Sequence, residues 1–210
     1  MTDGVSTNSR GGFHDDQPRL VLASSSPRRR DLLAQVGMPP DVMEPADVDE
    51  IPHRSELPAK LVRRLSLAKA GKVVARYADA FVLGADTVVA CGRRILPKTE
   101  SDSEAHSCLI MLSGRRHRVY GGVTIISPSG VKRTRVVATI VAFKPLAKEE
   151  IDIYLASGEW QGRAGGYAIQ GRAASFVRFI SGSYTNVVGL PLFEATQLLT
   201  GLGYKCQTRQ

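Results

Sequence analysis

Three short strings, far apart in the sequence, combine side chains that can do chemistry with apolar residues that must be buried. They are LASSSPRR at 22–29, GADT at 84–87 and YAIQG at 167–171. Serine and arginine bind anions, aspartate binds metals or accepts protons, and an amide among glycines suits close contact with a ligand. The strings therefore predict parts of a site, each placed at the end of a strand.

The first string predicts an anion site at the start of a helix. It follows an apolar triplet at 20–22 that predicts a strand, and Pro27 suits the first position of a helix that ends near Gly37. A helix start presents unpaired N–H groups and a positive dipole end, and Arg28 and Arg29 add planar cations that fit phosphate oxygens. An ordinary capped helix with solvated arginines is the alternative.

The second string places a carboxylate after the apolar residues 81–83, which predict another buried strand. We expect Asp86 and Thr87 at or near the end of that strand. A carboxylate there costs free energy unless a metal, a reacting water or hydrogen bonds compensate it. A structural aspartate that caps a neighbouring group is the alternative.

The third string belongs to a glycine-rich stretch over 160–171 that also contains an aromatic residue and an amide. Glycines let the backbone approach a ligand closely, so this stretch with Gln170 predicts a contact with a bound molecule. A flexible surface loop is the alternative.

The elements that must position these strings alternate between helices and strands. The spacing of Leu61, Leu65 and Ala68 predicts a helix over 58–77 with Lys69 near the edge of its buried face. We expect a mixed α/β sheet flanked by helices, with a central cleft between two lobes. The further predictions are strands at 81–90 and 94–96, a helix from a Ser101/Glu104 capping box to Gly114, a hairpin over 116–143, a helix at 146–156, a strand at 175–180 and a final helix from Pro191.

Length and composition predict one globular domain. The chain has 210 residues, of which 43% are hydrophobic, and this supplies enough apolar surface for a core. We expect a disordered polar tail over 1–18 and a single domain over 19–206.

The net charge of +8, from 28 basic and 20 acidic residues, favours anionic partners. The basic residues are scattered, only 6% of residues are aromatic, and the signatures of nucleic-acid modules are missing from the sequence, so we expect no dedicated nucleic-acid binding.

Several other classes of protein are disfavoured by missing motifs. The cysteines at 91, 108 and 206 and the histidines lack metal-site spacing, and neither a phosphate-binding loop of kinases nor a serine-hydrolase elbow is present. Without a leader segment or a long apolar run, the sequence predicts a cytoplasmic protein that does not bind membranes.

Together the three strings resemble the Maf family of nucleoside triphosphate pyrophosphatases, and the similarity runs from about Leu20 to Leu199. The segments 49–50, 67–70 and 182–191 match the family as well. The resemblance implies an elongated fold related to inosine triphosphate pyrophosphatase. It implies hydrolysis between the α and β phosphates of a nucleoside triphosphate with the help of Mg²⁺ or Mn²⁺, and it allows a homodimer.

The resemblance also implies a role for each candidate residue. Asp86 is the expected general base, and Glu50 completes a metal site with it, although an exposed loop acid is the alternative for Glu50. Where the family commonly has Lys-Pro, this chain reads LPKT at 96–99, which leaves the direction of Lys98 open. The residues expected to contact the substrate are Ser24, Arg28, Arg29, Lys69, Thr87, Lys98 and Gln170.

Substrate preference is expected to depend on Arg28, Thr87 and Gln170, which match the family branch that prefers dTTP and UTP. A glutamine amide can accept from the N3 donor of uracil or thymine and donate to a neighbouring carbonyl. The alternatives are hydrolysis of 7-methyl-GTP or a noncanonical purine nucleotide, and a noncatalytic role in cell division and septum formation.

Overall fold

The computed structural model describes residues 18–205. The predicted tail therefore lies outside the described residues except for Pro18, as does Cys206. The elements are β1 (Leu20–Leu22), α1 (Pro27–Gln35), β2 (Val42–Met43), α2 (Pro58–Val74), β3 (Phe81–Cys91), β4 (Arg94–Leu96), α3 (Asp102–Leu112), β5 (Arg116–Ile126), β6 (Lys132–Phe143), α4 (Lys148–Ala156), a 3₁₀ helix (Arg172–Phe176), β7 (Val177–Ser181), α5 (Tyr184–Val188) and α6 (Leu192–Gly201).

The strands form one mixed sheet with the order β2-β1-β3-β5-β6-β7, and β4 pairs with part of β3. β1 runs parallel to β2 and β3, whereas β3, β5, β6 and β7 pair antiparallel. This sheet, with helices packed on it, confirms the predicted mixed α/β class. Within residues 18–205, no helix has the length and apolar character needed to cross a membrane.

One edge of β3 is open over a short stretch. On that edge β1 pairs with residues 81–83 and β4 pairs with residues 89–91, so no described strand lies beside residues 84–88. Asp86 and Thr87 lie in this gap, in the middle of β3, and the prediction that they end the strand was wrong. The strand that ends here is β1, while β3 continues because its other edge pairs with β5 from Val82 to Ala90.

The sheet is covered on both faces, because successive side chains of β1 pack into different apolar clusters. Leu20 and Leu22 belong to the main core, which also contains buried residues of α3, α4 and α6. Val21, between them, packs with Ala70 and Val73 of α2 on the other face. Since successive strand residues point to opposite faces, an apolar run such as β1 indicates a strand that is buried on both sides.

Helix α2 lies directly on the sheet because glycines stand beneath it. A Cβ atom on Gly84 would lie 2.3 Å from the carbonyl oxygen of Ser66, and one on Gly122 would lie 2.2 Å from that of Val62. Both oxygens belong to the helix backbone and cannot turn aside. Gly84 and Asp86 are two residues apart and share a face of β3, so the same close approach brings α2 down onto the carboxylate.

Several element boundaries differ from the sequence prediction, among them the end of the helix predicted over 58–77, which is Val74. The predicted strand at 175–180 starts only at Val177, because the preceding residues form the 3₁₀ helix that buries Phe176. The predicted helix at 146–156 begins at Lys148, since the backbone N–H of Leu146 donates to Ser113 Oγ instead. The final helix begins at Leu192 and is preceded by the separate helix α5.

The close approach of α2 predicts the effect of adding one methyl group. Gly84→Ala and Gly122→Ala should each lower the free energy of unfolding by about 2 kcal/mol or more, because the helix must move away from the sheet. Gly71→Ala is the matched control within α2, where nothing lies within 4 Å of the added Cβ. It should raise stability by about 0.5–1 kcal/mol, since alanine favours a helix. Equal effects of all three substitutions in urea denaturation would contradict the packing described.

Candidate active site

The turn between β1 and α1 forms the wall of a pocket of about 320 Å³. Ser24 Oγ accepts a hydrogen bond from the backbone N–H of Ser26 at 3.2 Å, which shapes the turn. Ser26 is the N-cap residue of α1 and makes no side-chain cap, so it leaves the first N–H groups of the helix to other acceptors. The cations that line this pocket are Arg28, Arg29, Lys69 and Lys98.

The two arginines of α1 have different surroundings. Arg29 donates to the carbonyl of Gly189 at 2.9 Å, to Ser24 Oγ at 3.0 Å and to Thr87 Oγ1 at 3.3 Å. Burial lowers the pKa of Arg29, and the charges of nearby carboxylates oppose that shift. The Arg28 side chain has no hydrogen-bond partner within residues 18–205 and is half-buried at the pocket. Arg29 therefore joins three segments, whereas Arg28 is available to a ligand.

A buried ammonium joins the two candidate carboxylates. Lys69 Nζ lies 2.7 Å from Asp86 Oδ1 and 2.6 Å from Glu50 Oε1, and Lys98 binds the other oxygen of Glu50. Asp86 is only 3% exposed and Lys69 only 6%. Burial would raise the pKa of Glu50, but the hydrogen bonds from Lys69 and Lys98 outweigh it and lower that pKa to about 2. Glu50 is therefore ionised at neutral pH.

The carboxylates of this cluster suit a divalent ion that also binds phosphate. Mg²⁺ usually takes one or two protein carboxylates and completes its shell with water and substrate oxygens. Glu50, which lines the pocket, and Asp86, which Lys69 joins to it, supply such a pair. Within residues 18–205, no group of three or more His, Cys, Asp or Glu side chains is arranged to hold a metal. The donors thus fit an ion that arrives with a polyphosphate and not a permanently caged one.

A second pocket adjoins the first and is lined by the glycine-rich stretch. It contains the exposed side chain of Gln170 together with Thr87 and the ring of Tyr167. Arg28 and Lys98 line both pockets, so a ligand can extend from one into the other. The remaining lining residues of the second pocket are Ser26, Arg29, Val89, 162–164, Ala168, Ile169 and 187–189.

The glycine-rich stretch is tied to the core by buried hydroxyl groups. His117 Nε2 and Tyr167 Oη share a hydrogen bond of 2.9 Å, and the N–H of Ala168 donates to Tyr154 Oη at 3.0 Å. Gly165 has a φ of 70°, and a Cβ there would lie 2.9 Å from the Val89 side chain. Here the glycine permits close approach to the protein itself. The alternative of a free surface loop therefore does not describe this stretch.

The structure also gives the direction of Lys98. Its backbone pairs with Ala164 of the glycine-rich stretch, and its neighbour Thr99 donates to the carbonyl of Trp160 at 2.8 Å. The Lys98 side chain is half exposed and binds Glu50. Despite the departure from the family pattern, the ammonium group points to the pocket.

All the residues predicted from the sequence line these pockets or the carboxylate cluster beside them. The sequence analysis missed residues that support the site from behind. His117 and Tyr154 anchor the glycine-rich stretch, and Arg64 binds the segment that carries Glu50. A lone histidine or arginine gives no local signal of such a contact, because its partner lies far away in the sequence.

The burial of His117 predicts a pH dependence of stability. Its side chain is 2% exposed, and burial lowers its pKa from 6.5 to about 4. Between these values the unfolded chain binds the extra proton, so stability falls as the pH drops from 6.5 to 4, by about 3 kcal/mol at most. His117→Gln should reduce this slope in denaturation curves recorded across that range. The exposed His106→Gln is the control, and an unchanged slope in the His117 variant would contradict the prediction.

Comparison with known proteins agrees with the motifs. The chain is 59% identical to the dTTP/UTP pyrophosphatase of Paramagnetospirillum magneticum over 185 residues, which are 88% of this chain and 97% of the relative. It is 54% identical to the dTTP/UTP pyrophosphatase of Rhodospirillum rubrum over 205 residues, which are 98% of each protein.

Among solved structures, the chain is similar to a nucleoside-triphosphatase/dITP/XTP pyrophosphatase from Mycobacterium abscessus. That similarity has a TM-score of 0.42 and 15% identity, and it covers 59% of this chain and 72% of the other. It is too distant to bear on function. The profile of the Maf-like protein family, by contrast, matches residues 19–202. With relatives this similar over nearly their whole length, the chain belongs to the Maf family.

Proposed function

We propose that the protein hydrolyses dTTP and UTP between the α and β phosphates and releases the monophosphate and pyrophosphate. The observation that carries this proposal is the meeting of Arg28, Lys69, Lys98 and Glu50 in the pocket at the start of α1, where Lys69 also binds Asp86. This hydrolysis requires positive groups that stabilise the charge on the phosphates and a carboxylate that accepts a proton. The names of the relatives, both dTTP/UTP pyrophosphatases, support the same substrates.

In the proposed mechanism the triphosphate lies along the pocket at the start of α1. The N–H groups of the first helical turn and the guanidinium of Arg28 donate to its oxygens. The half-exposed ammonium of Lys98 exchanges Glu50 for a phosphate oxygen. Arg29 contributes indirectly, because its bonds to Ser24 and Thr87 fix the turn against β3.

Glu50 serves as a metal ligand, and Asp86 both shares that ion and acts as the general base. A divalent ion held by Glu50 and Asp86 would screen the phosphate charges and lower the pKa of a bound water. Lys69 occupies Oδ1 of Asp86, and no donor to Oδ2 is found within residues 18–205. Oδ2 is therefore the oxygen that accepts the proton from the attacking water. The ammonium of Lys69 lowers the pKa of Glu50, and its positive charge offsets the repulsion between the two carboxylates.

Base selection is assigned to the second pocket. Gln170 offers an acceptor and a donor, which match the N3 donor and a carbonyl of uracil or thymine. Thr87 is not free for this task, because its hydroxyl donates to the Gly189 carbonyl at 3.1 Å and accepts from Arg29. It shapes the pocket wall, while Gln170 contacts the base.

Removing the general base, Asp86, should greatly slow turnover and keep the fold. Asp86→Asn has the shape of aspartate, but it cannot accept the proton, so release of pyrophosphate from dTTP should fall by about 100-fold to 10,000-fold. Nucleotide binding by the folded variant should persist. Asp79→Asn, at an exposed carboxylate, is the matched control and should be fully active. Full activity of the Asp86 variant would rule out the proposed base.

Replacing the amide of Gln170 should change the substrate preference. Gln170→Glu removes the donor and adds a negative charge, so kcat/KM for dTTP should fall by about 10-fold to 100-fold. The ratio of rates should shift towards 7-methyl-GTP, whose base is cationic. Gln161→Glu, an exposed position of the same glycine-rich stretch, is the control. If both variants keep the wild-type preference, Gln170 does not read the base.

A further inference from the structure

Glu50 lies on a segment without helix or strand, residues 44–57, which we call the strap. The strap joins β2 to α2 and runs back along that helix in the opposite direction. Three basic residues of α2, and Arg76 just beyond its end, bind four acidic residues of the strap in reverse order. These ion pairs are Arg76 with Glu44, Lys72 with Asp47, Lys69 with Glu50 and Arg64 with Glu56.

The outer part of the strap has no apolar anchor. Ala46 and Val48 pack against the clusters of apolar side chains around α2. Beyond Val48, none of the apolar side chains over 49–57 is buried, and Ile51 is 72% exposed. Hydrophobic burial therefore does not fix the backbone that carries Glu50, and polar contacts must do so.

Arg64 supplies those contacts on both sides of Glu50. Its guanidinium donates to the carbonyl of Ile51 at 3.0 Å and makes a longer contact of 3.5 Å with that of Asp49. It also forms a bidentate salt bridge with Glu56, with N–O distances of 3.0 and 2.9 Å. The hydrogen bond from Arg64 is the main reason why the pKa of Glu56 is lowered to about 2.

We propose that Arg64 is a positioning residue that holds the Glu50 carboxylate ready for the divalent ion. This inference rests on the proposed function, in which Glu50 is a metal ligand. Arg64 itself touches neither metal nor nucleotide. A ligand on a free strap would have to be ordered at each binding event, and that ordering costs conformational entropy. The planar fork of arginine reaches two carbonyls and a carboxylate together, which a lysine ammonium does not do.

The test compares Arg64 of α2 with Arg76, which lies just beyond the end of that helix, because both bind the strap. Arg64→Gln should increase hydrogen exchange of the backbone amides over 49–53 and should weaken Mn²⁺ binding by about 10-fold, the usual size of such a supporting contact. Mn²⁺ binding is followed by its EPR signal in the presence of a nonhydrolysable dTTP analogue. Arg76→Gln is the matched control and should leave both readouts unchanged, because Tyr77 also binds Glu44.

Further variants separate position from charge. Arg64→Lys keeps the charge and should behave like Arg64→Gln, so a complete rescue by lysine would overturn the proposal. Faster exchange without weaker Mn²⁺ binding in Arg64→Gln would also overturn it. Should Arg64→Gln fail to fold, Glu56→Gln releases one end of the guanidinium and should show smaller changes in the same direction, and wild-type behaviour of that variant would count against the proposal.

The wild-type protein distinguishes the two levels of inference. If it neither binds Mn²⁺ with the dTTP analogue nor releases pyrophosphate from dTTP, the proposed function is wrong. Hydrogen exchange over 49–53 then still decides whether Arg64 fixes the strap. If the wild type is active and Arg64→Gln matches it in exchange, metal affinity, KM and kcat, only the positioning role is wrong.

Discussion

The ammonium group of Lys69, held between two carboxylates almost out of contact with water, is the interaction on which the other features depend. Lys69 comes from α2, Asp86 from the middle of β3 and Glu50 from the strap. Charges with so little hydration are tolerated only when each has a partner at short range. The cluster therefore requires that a helix, a strand and an irregular segment keep fixed positions relative to one another.

Two backbone features meet that requirement. Gly84 and Gly122 let α2 lie so close to the sheet that a lysine side chain reaches Asp86 with its whole length buried. The gap along β3, between the partner strands β1 and β4, leaves room beside Asp86 for α1 and its anion pocket. A continuous strand at this edge would fill that space. The candidate site therefore lies where pairing along one edge of β3 is interrupted. The strand β3 itself is continuous.

Local patterns predicted the α/β class, most elements and the residues around the pockets, because apolar runs, capping residues and anion-binding side chains are local signals. They did not predict what depends on distant partners. Asp86 was expected at a strand end although the predicted strand 81–90 runs through it, since the gap in pairing along one edge of β3 is invisible in these residues alone. Arg29 looks like Arg28 in the sequence, yet the carbonyl of Gly189 turns it towards the protein. The hydrogen bonds from Arg64 to the strap were likewise not predicted, because the two lie apart in the sequence.

The hydrogen bonds of Tyr167 and Ala168 to the core mean that the wall to which we assign the base is held in place without a ligand. A preformed wall makes no new contacts by folding around the ligand, and binding costs it little conformational entropy. In the proposed mechanism Gln170, which lies on this wall, binds a base whose edge offers the matching donor and acceptor. Discrimination would then show itself in how fast nucleotides enter, before any bond to phosphorus is broken.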